Sequence, residues 1–85
     1  MEFNDSNTIK EFIGLLILAL ENMNEVELRD ELIGWRDCAF TTSTEYLGEL
    51  RVILVKIRGI SVLDASINND LNRCINAINK AFEAS

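Results

Sequence analysis

Apolar residues form one uninterrupted run at residues 12–20, which reads Phe-Ile-Gly-Leu-Leu-Ile-Leu-Ala-Leu and contains no polar side chain. A helix made of this run is apolar nearly all round, and such helices normally lie inside a domain. The run spans only about 14 Å as a helix, whereas a bilayer has a hydrocarbon core of about 30 Å. We therefore expect a buried helix at the centre of a soluble fold, not a membrane span.

Residues that favour helix starts divide the chain into four predicted helices. Thr8 begins the Thr-x-x-Glu pattern of a capping box, and Thr42 begins the same pattern again. Asn24 and Ser61 are the predicted caps of the second and fourth helices, and Gly59 is placed to end the third as its C′ residue. The predicted helices cover about residues 9–22, 25–39, 43–58 and 62–82, after a loose polar lead-in at residues 1–7.

The third predicted helix has a competing interpretation. Residues 51–63 are rich in β-branched side chains, and their alternation is compatible with a β-hairpin that turns at Gly59. The apolar positions nevertheless keep helical spacing for over three turns. These positions are Tyr46, Leu47, Leu50, Ile53, Leu54 and Ile57. The sequence therefore predicts an all-α fold: one domain of 85 residues, folded as a compact four-helix bundle made of two αα-hairpins.

Residues 8–16 resemble residues 42–50, because Thr, Glu, an aromatic residue, an aliphatic residue, Gly and Leu recur in register. Each segment opens a helix, and the helix that follows it carries one cysteine. This repeat predicts a pseudo-twofold relation, with Leu16 and Leu50 buried and with Gly14 and Gly48 letting the first and third helices approach closely. The alternative is that capped, buried helices converge on similar sequences, and that each glycine is tolerated at about 1 kcal/mol relative to alanine.

Acidic residues are concentrated in the first part of the chain. The formal net charge is −6, residues 1–37 contain nine acidic and three basic side chains, and residues 38–85 contain five of each. Negative charge disfavours nucleic acid and anionic membranes as partners. A protein with a basic surface is the expected partner.

The second predicted helix carries the leading candidate binding residues. One apolar stripe comprises Leu28, Leu32, Trp35 and Ala39, and a second comprises Val26, Ile33 and Phe40. Arg29 and Arg36 lie between the stripes. The remaining arc has no basic residue and comprises Glu27, Asp30, Glu31, Gly34 and Asp37. An unneutralised acidic arc is suited to block a cationic site, and its alternative interpretation is a solvated face that confers solubility.

Two further features offer alternative binding residues. Trp35, the only tryptophan, is expected in the core, or else as a partly exposed interface anchor. The fourth predicted helix has an apolar face that comprises Ile67, Leu71, Cys74, Ile75, Ile78 and Phe82. A stripe of asparagines runs beside that face and comprises Asn68, Asn72, Asn76 and Asn79. Asparagine is a poor helix former, so this stripe is either a hydrogen-bonding edge for a partner or a solvated boundary.

The sequence contains few of the residue patterns that catalytic or cofactor-binding sites require. The chain contains no histidine, which removes Ser-His and Cys-His arrangements, and two cysteines alone do not make a zinc site. We predict no catalytic residue, cofactor or metal. The acidic opening Met-Glu-Phe-Asn-Asp does not resemble a secretory signal, so a cytoplasmic location is expected. Cys38 and Cys74 are then expected to be reduced, small buried side chains, with a disulfide as the alternative.

These observations favour protein binding without catalysis. Our leading hypothesis is a small bacterial inhibitor of the immunity or antitoxin type, in which Glu27, Asp30, Glu31, Asp37 and Trp35 cover a basic toxin such as a nuclease. A second hypothesis is an oligomeric helical adaptor or secretion chaperone that uses apolar stripes, which leaves a homodimer open. A third is a phage-encoded acidic mimic of nucleic acid. Each is an analogy of class, because no family resemblance reaches individual residues.

Overall fold

The computed structural model describes residue 3 and residues 6–38, 42–60 and 64–84. In these residues the chain forms four α-helices and no strand: α1 (Ser6–Asn22), α2 (Val26–Asp37), α3 (Ser43–Arg58) and α4 (Ala65–Ala84). The predicted all-α fold is confirmed. The β-hairpin interpretation is wrong for residues 51–58, which are helical, and residues 61–63 lie outside the described part of the chain.

Consecutive helices are neighbours in space. Helix α1 packs against α2, α2 against α3, and α3 against α4. Short connections favour this arrangement, because each helix turns back beside the one before it. The result is a compact four-helix bundle that contains the two predicted hairpins, α1–α2 and α3–α4.

One apolar core joins all four helices. Its largest share comes from α1, whose buried side chains follow helical spacing and comprise Ile9, Phe12, Ile13, Leu16, Ile17 and Leu20. Helix α3 adds Leu50, Ile53, Leu54 and Ile57, and α4 adds Leu71, Cys74, Ile75 and Ile78. The predicted apolar faces of α3 and α4 are therefore confirmed. None of the helices in the described ranges combines the length and the apolar content needed to cross a membrane.

Helix α1 is not covered on every side, contrary to the expectation from its sequence. Leu15 and Leu18 are 54% and 57% exposed. A helix in a four-helix bundle has neighbours on one side only, so even an apolar outer face meets solvent. The apolar run at residues 12–20 therefore supplies both the deepest core positions and an exposed apolar face.

The connection between α1 and α2 differs from the prediction. Asn24 does not cap α2 but ends α1, with a positive φ of 60°. Its N–H donates to Glu21 O at 3.2 Å, and the N–H of Glu25 donates to Leu20 O at 2.9 Å. These two bonds form a Schellman motif, in which Asn is one of the few residues that tolerate the left-handed conformation. Glu25 is the N-cap of α2, without a side-chain capping bond.

The predicted start of α3 is confirmed, whereas the predicted start of α1 is wrong. Thr42 Oγ1 accepts a hydrogen bond from the Glu45 N–H at 3.1 Å, as a capping residue should. Thr8, by contrast, lies inside α1, which begins at Ser6. The helix therefore takes in the last two residues of the predicted lead-in.

The end of α3 and the start of α4 also differ from the sequence pattern. Gly59 ends α3 in the right-handed region, with φ of −71° and ψ of −19°, and not in the predicted left-handed conformation. Asp64 precedes α4, and its Oδ1 accepts from the Ser66 N–H at 3.2 Å. Asp64 therefore takes the capping role. The predicted cap Ser61 lies outside the described residues.

The sequence repeat extends to core leucines but not to the glycines or cysteines. Leu16 and Leu50 are both fully buried, as predicted. A Cβ built on Gly14 would meet no atom within 4 Å, whereas one on Gly48 would lie 3.7 Å from Phe82 of α4. The two glycines therefore do not mediate contact between α1 and α3. Cys38 follows the end of α2, whereas Cys74 lies inside α4, so the two cysteines are not equivalent.

Candidate functional site

The predicted acidic arc lies on the outer surface of α2. Glu27, Asp30 and Asp37 are exposed, and Glu31 is half-buried. We call these four residues the acidic face. Their exposure follows from the packing of α2, which directs Leu32 and Trp35 into the core and leaves the opposite side of the helix to solvent.

Basic side chains pair with most of the acidic face, so the expectation of an unneutralised arc is wrong. Arg29 Nη2 lies 3.1 Å from Asp30 Oδ1, and Arg36 Nε lies 3.7 Å from Asp37 Oδ1. The Nζ atom of Lys56 on α3 lies 2.9 Å from Glu31 Oε1. A helical projection of α2 alone misses the third pair, because its cation comes from another helix.

Arg29 also joins the two helices of the first hairpin. Its Nη1 lies 3.3 Å from Glu21 Oε1 on α1. Because the Glu21 and Asp30 side chains are 52% and 61% exposed, these are surface ion pairs, which are worth about 0–1 kcal/mol each. The pairs shape the local potential without contributing much to stability.

Trp35 belongs to the core, as the leading interpretation predicted. Its side chain is 4% exposed, and its indole N–H donates to the carbonyl oxygen of Tyr46 at 2.8 Å. The two aromatic rings lie 4.6 Å apart, tilted by 38°, and burial raises the pKa of Tyr46. Trp35 therefore ties α2 to the first turns of α3 and does not project as an exposed anchor.

The other predicted stripes have mixed outcomes. Ile33 packs against the core, whereas Val26 is 47% exposed. The last members of the two apolar stripes, Ala39 and Phe40, lie outside the described residues. The apolar character of the second stripe therefore does not produce one continuous exposed surface.

The asparagine stripe on α4 is partly used inside the bundle. Asn79 Oδ1 accepts a hydrogen bond from Arg51 Nη1 at 3.1 Å, and the same guanidinium lies 4.6 Å from the centre of the Phe82 ring. Asn68 and Asn76 are exposed, and Asn72 is half-buried. One end of the stripe thus belongs to the α3–α4 packing edge.

A groove between α2 and α3 is the feature that sequence reasoning missed. It has a volume of about 620 Å³ and is lined by Glu31, Gly34, Trp35, Cys38, Glu45, Glu49, Val52, Ile53 and Lys56. Trp35, Val52 and Ile53 are the apolar part of its lining, and Glu31 forms an ion pair with Lys56 across it. We call it the α2–α3 groove. A projection of α3 could have shown its second wall, because residues 45, 49, 52 and 56 share one side of a helix.

The two cysteines have different environments, and both are free thiols. Cys74 is fully buried, and burial raises its pKa to about 12. Cys38 is exposed and lines the α2–α3 groove. The expectation of two small buried side chains is therefore confirmed for Cys74 and wrong for Cys38.

The described residues offer no group of three Cys, Asp or Glu side chains placed to hold a metal ion. Comparison with protein families, curated proteins and solved structures finds no match for this chain. What the surface can bind therefore follows from its shape and charge. The two candidate sites are the acidic face of α2 and the adjoining α2–α3 groove, which share Glu31.

Proposed function

We propose that this chain is a non-catalytic protein-binding module, a small acidic bacterial inhibitor of the immunity or antitoxin type that covers a basic toxin such as a nuclease. The observation that carries the proposal is the exposure of Glu27, Asp30 and Asp37 on one side of α2. Those residues lie in the part of the chain that holds the whole net charge of −6. A surface of this kind attracts a cationic partner and accelerates its association.

The internal ion pairs are compatible with this role. The paired carboxylates of Asp30 and Asp37 are 61% and 68% exposed, and exchange of one surface cation for another costs little. Cations of a basic partner can therefore replace Arg29 and Arg36 at the acidic face. The proposal places the protein in the cytoplasm, where an exposed thiol such as Cys38 stays reduced.

The first test is capture of a partner from the native host by the parent protein and by the D30K/E31K double variant. Reversal of two charges should leave the fold intact and weaken a basic partner's affinity by about 100-fold or more. The matched control is E11K/E83K, which makes the same change in net charge at two exposed residues of α1 and α4. Equal affinities of the two double variants would place the working surface elsewhere.

A second candidate, the oligomeric adaptor or secretion chaperone, has its own supporting observation. Leu15 and Leu18 of α1 are more than half exposed, and Val52 and Val55 of α3 are 53% and 43% exposed. Exposed apolar side chains favour association that is insensitive to salt, whereas an acidic inhibitor loses association rate as salt rises. A nucleic-acid mimic, the third candidate, would compete with nucleic acid for its captured partner.

A further inference from the structure

The α2–α3 groove combines apolar lining residues with carboxylates from both helices. Glu31 lies on α2, and Glu45 and Glu49 lie on α3. Lys56 is the only cation among the described residues that line the groove. With that ammonium group moved aside, the groove has the chemistry to receive one cation attached to an apolar surface.

The ion pair between Lys56 and Glu31 occupies that cationic position. Lys56 Nζ lies 2.9 Å from Glu31 Oε1, and the two side chains are 53% and 39% exposed. Both side chains reach solvent, so the contact is screened and its rearrangement requires no change in the core. Lys56 can therefore leave Glu31 when a competing cation arrives.

The wall formed by α2 is low at Gly34. This residue is exposed in the middle of α2, and a Cβ built on it would meet no atom within 4 Å. Glycine is a poor residue for a helix interior. Because a larger side chain at this position would clash with none of the described residues, packing does not explain the glycine. The missing side chain leaves the groove open at this position.

We infer that the α2–α3 groove receives an arginine of the basic partner, and that Lys56 holds the cation position at Glu31 until that arginine displaces it. The inference rests on the proposed function and places the partner's contact in the α2–α3 groove. Arginine suits the groove better than lysine, because its planar guanidinium is weakly hydrated and can bridge two carboxylates. Apolar side chains beside that arginine would cover Val52, which is 53% exposed.

The test uses a fluorescently labelled synthetic helix of leucine and arginine, with a leucine–glutamate helix of the same pattern as the negative probe. Anisotropy gives the affinity, and emission of Trp35, the only tryptophan, reports whether the groove is occupied. K56M should bind the arginine helix about fivefold more tightly than the parent, because the competing cation is gone. R58M makes the same change in net charge at an exposed residue outside the groove lining, and should change affinity less than twofold.

A second pair of variants separates occupation of the groove from general attraction. G34Q places a side chain in the groove and should weaken binding by at least about tenfold, which corresponds to about 1.4 kcal/mol. G14Q makes the same change at the other open glycine, on α1, and should leave affinity unchanged. Neither glycine is in the left-handed region, so both variants should fold.

Equal effects of K56M and R58M, or no effect of G34Q, would overturn the inference. An arginine helix that binds without changing Trp35 emission and is weakened only by D30K would place the contact on the acidic face. That outcome removes the groove as the docking site and leaves the proposed function standing. The proposed function fails separately, if the partner captured from the native host binds with no dependence on salt.

Discussion

The first hairpin, α1–α2, and the second, α3–α4, bury leucines at corresponding places and differ at their surfaces. Leu16 and Leu50 are both fully buried, and Leu18 and Val52, each two positions further along, are both more than half exposed. The net charge differs between the two parts of the chain: residues 1–37 carry −6, and residues 38–85 are neutral. Packing dictates the inward positions of both hairpins, whereas nothing in the core requires one hairpin to be acidic. The acidity is therefore the feature to explain by function.

The largest expected effect tests the feature that the two hairpins share, which is a buried leucine at corresponding positions. Leu16→Ala and Leu50→Ala should each lower the free energy of unfolding by about 2–5 kcal/mol, because each removes a fully buried side chain and leaves a cavity. Chemical denaturation measures the loss. The matched controls are Leu18→Ala and Val52→Ala, at exposed positions, which should change stability by about 0.5 kcal/mol or less. Similar losses at buried and exposed positions would contradict the assigned core.

The next effect separates the two cysteines, Cys38 directly after α2 and Cys74 inside α4. Reaction with a thiol reagent requires access and a thiolate, so Cys38 should react in the folded protein. Cys74 is buried and has its pKa raised to about 12, so it should react at least about 100-fold more slowly, through opening of the fold. The C38A variant isolates Cys74. Two equally fast thiols in the folded parent would contradict the packing of α4.

Burial of Cys74 also predicts a dependence of stability on pH. Its pKa rises from 9.0 to about 12 on folding, so the unfolded chain loses this proton first as pH increases. The stabilisation is complete below about pH 9 and is lost as pH rises towards 12. Denaturation of the parent at pH 8 and pH 10 should show this loss, and C74A should show a smaller one.

A smaller effect compares glycines at corresponding positions of α1 and α3. Gly14→Ala should raise stability by about 0.5–1 kcal/mol, because alanine is the better helix former and the added Cβ meets open space. Gly48→Ala should give a similar gain, since its Cβ would lie at an ordinary contact distance of 3.7 Å from Phe82. Thermal denaturation measures both. A loss at Gly48 would mean that α3 and α4 approach more closely than this contact indicates.

The helices and the core were predictable because apolar residues repeat with the period of the helix. The capping role of Thr42 was also predicted from its Thr-x-x-Glu pattern, although the same pattern at Thr8 lies inside α1. Asn24 was not, because asparagine suits both an N-cap and a left-handed helix end, and only the position of α2 decides between them. Leu15 and Leu18 looked buried because apolar character alone does not tell how many neighbours a helix has.

The candidate site was only half predictable for a related reason. The acidic face lies on one helix, so its residues share a surface that a helical projection shows. The α2–α3 groove is formed by two helices, and the pair between Lys56 and Glu31 joins residues far apart in the chain. A periodicity calculated along one segment contains no information about the side chains that face it. A projection of α3 shows that residues 45 and 49 share one side of the helix, but not that this side faces α2.

The most direct test of the central claim is the salt dependence of association between the protein and its captured partner, measured for the parent and for D30K/E31K. The parent's association rate should fall steeply as ionic strength rises, because acidic residues steer a cationic partner. The double variant should associate slowly at every salt concentration, at a melting temperature close to the parent's, since surface pairs contribute only about 0–1 kcal/mol. A parent rate that does not change with salt, or equal rates for parent and variant at low salt, would contradict the account.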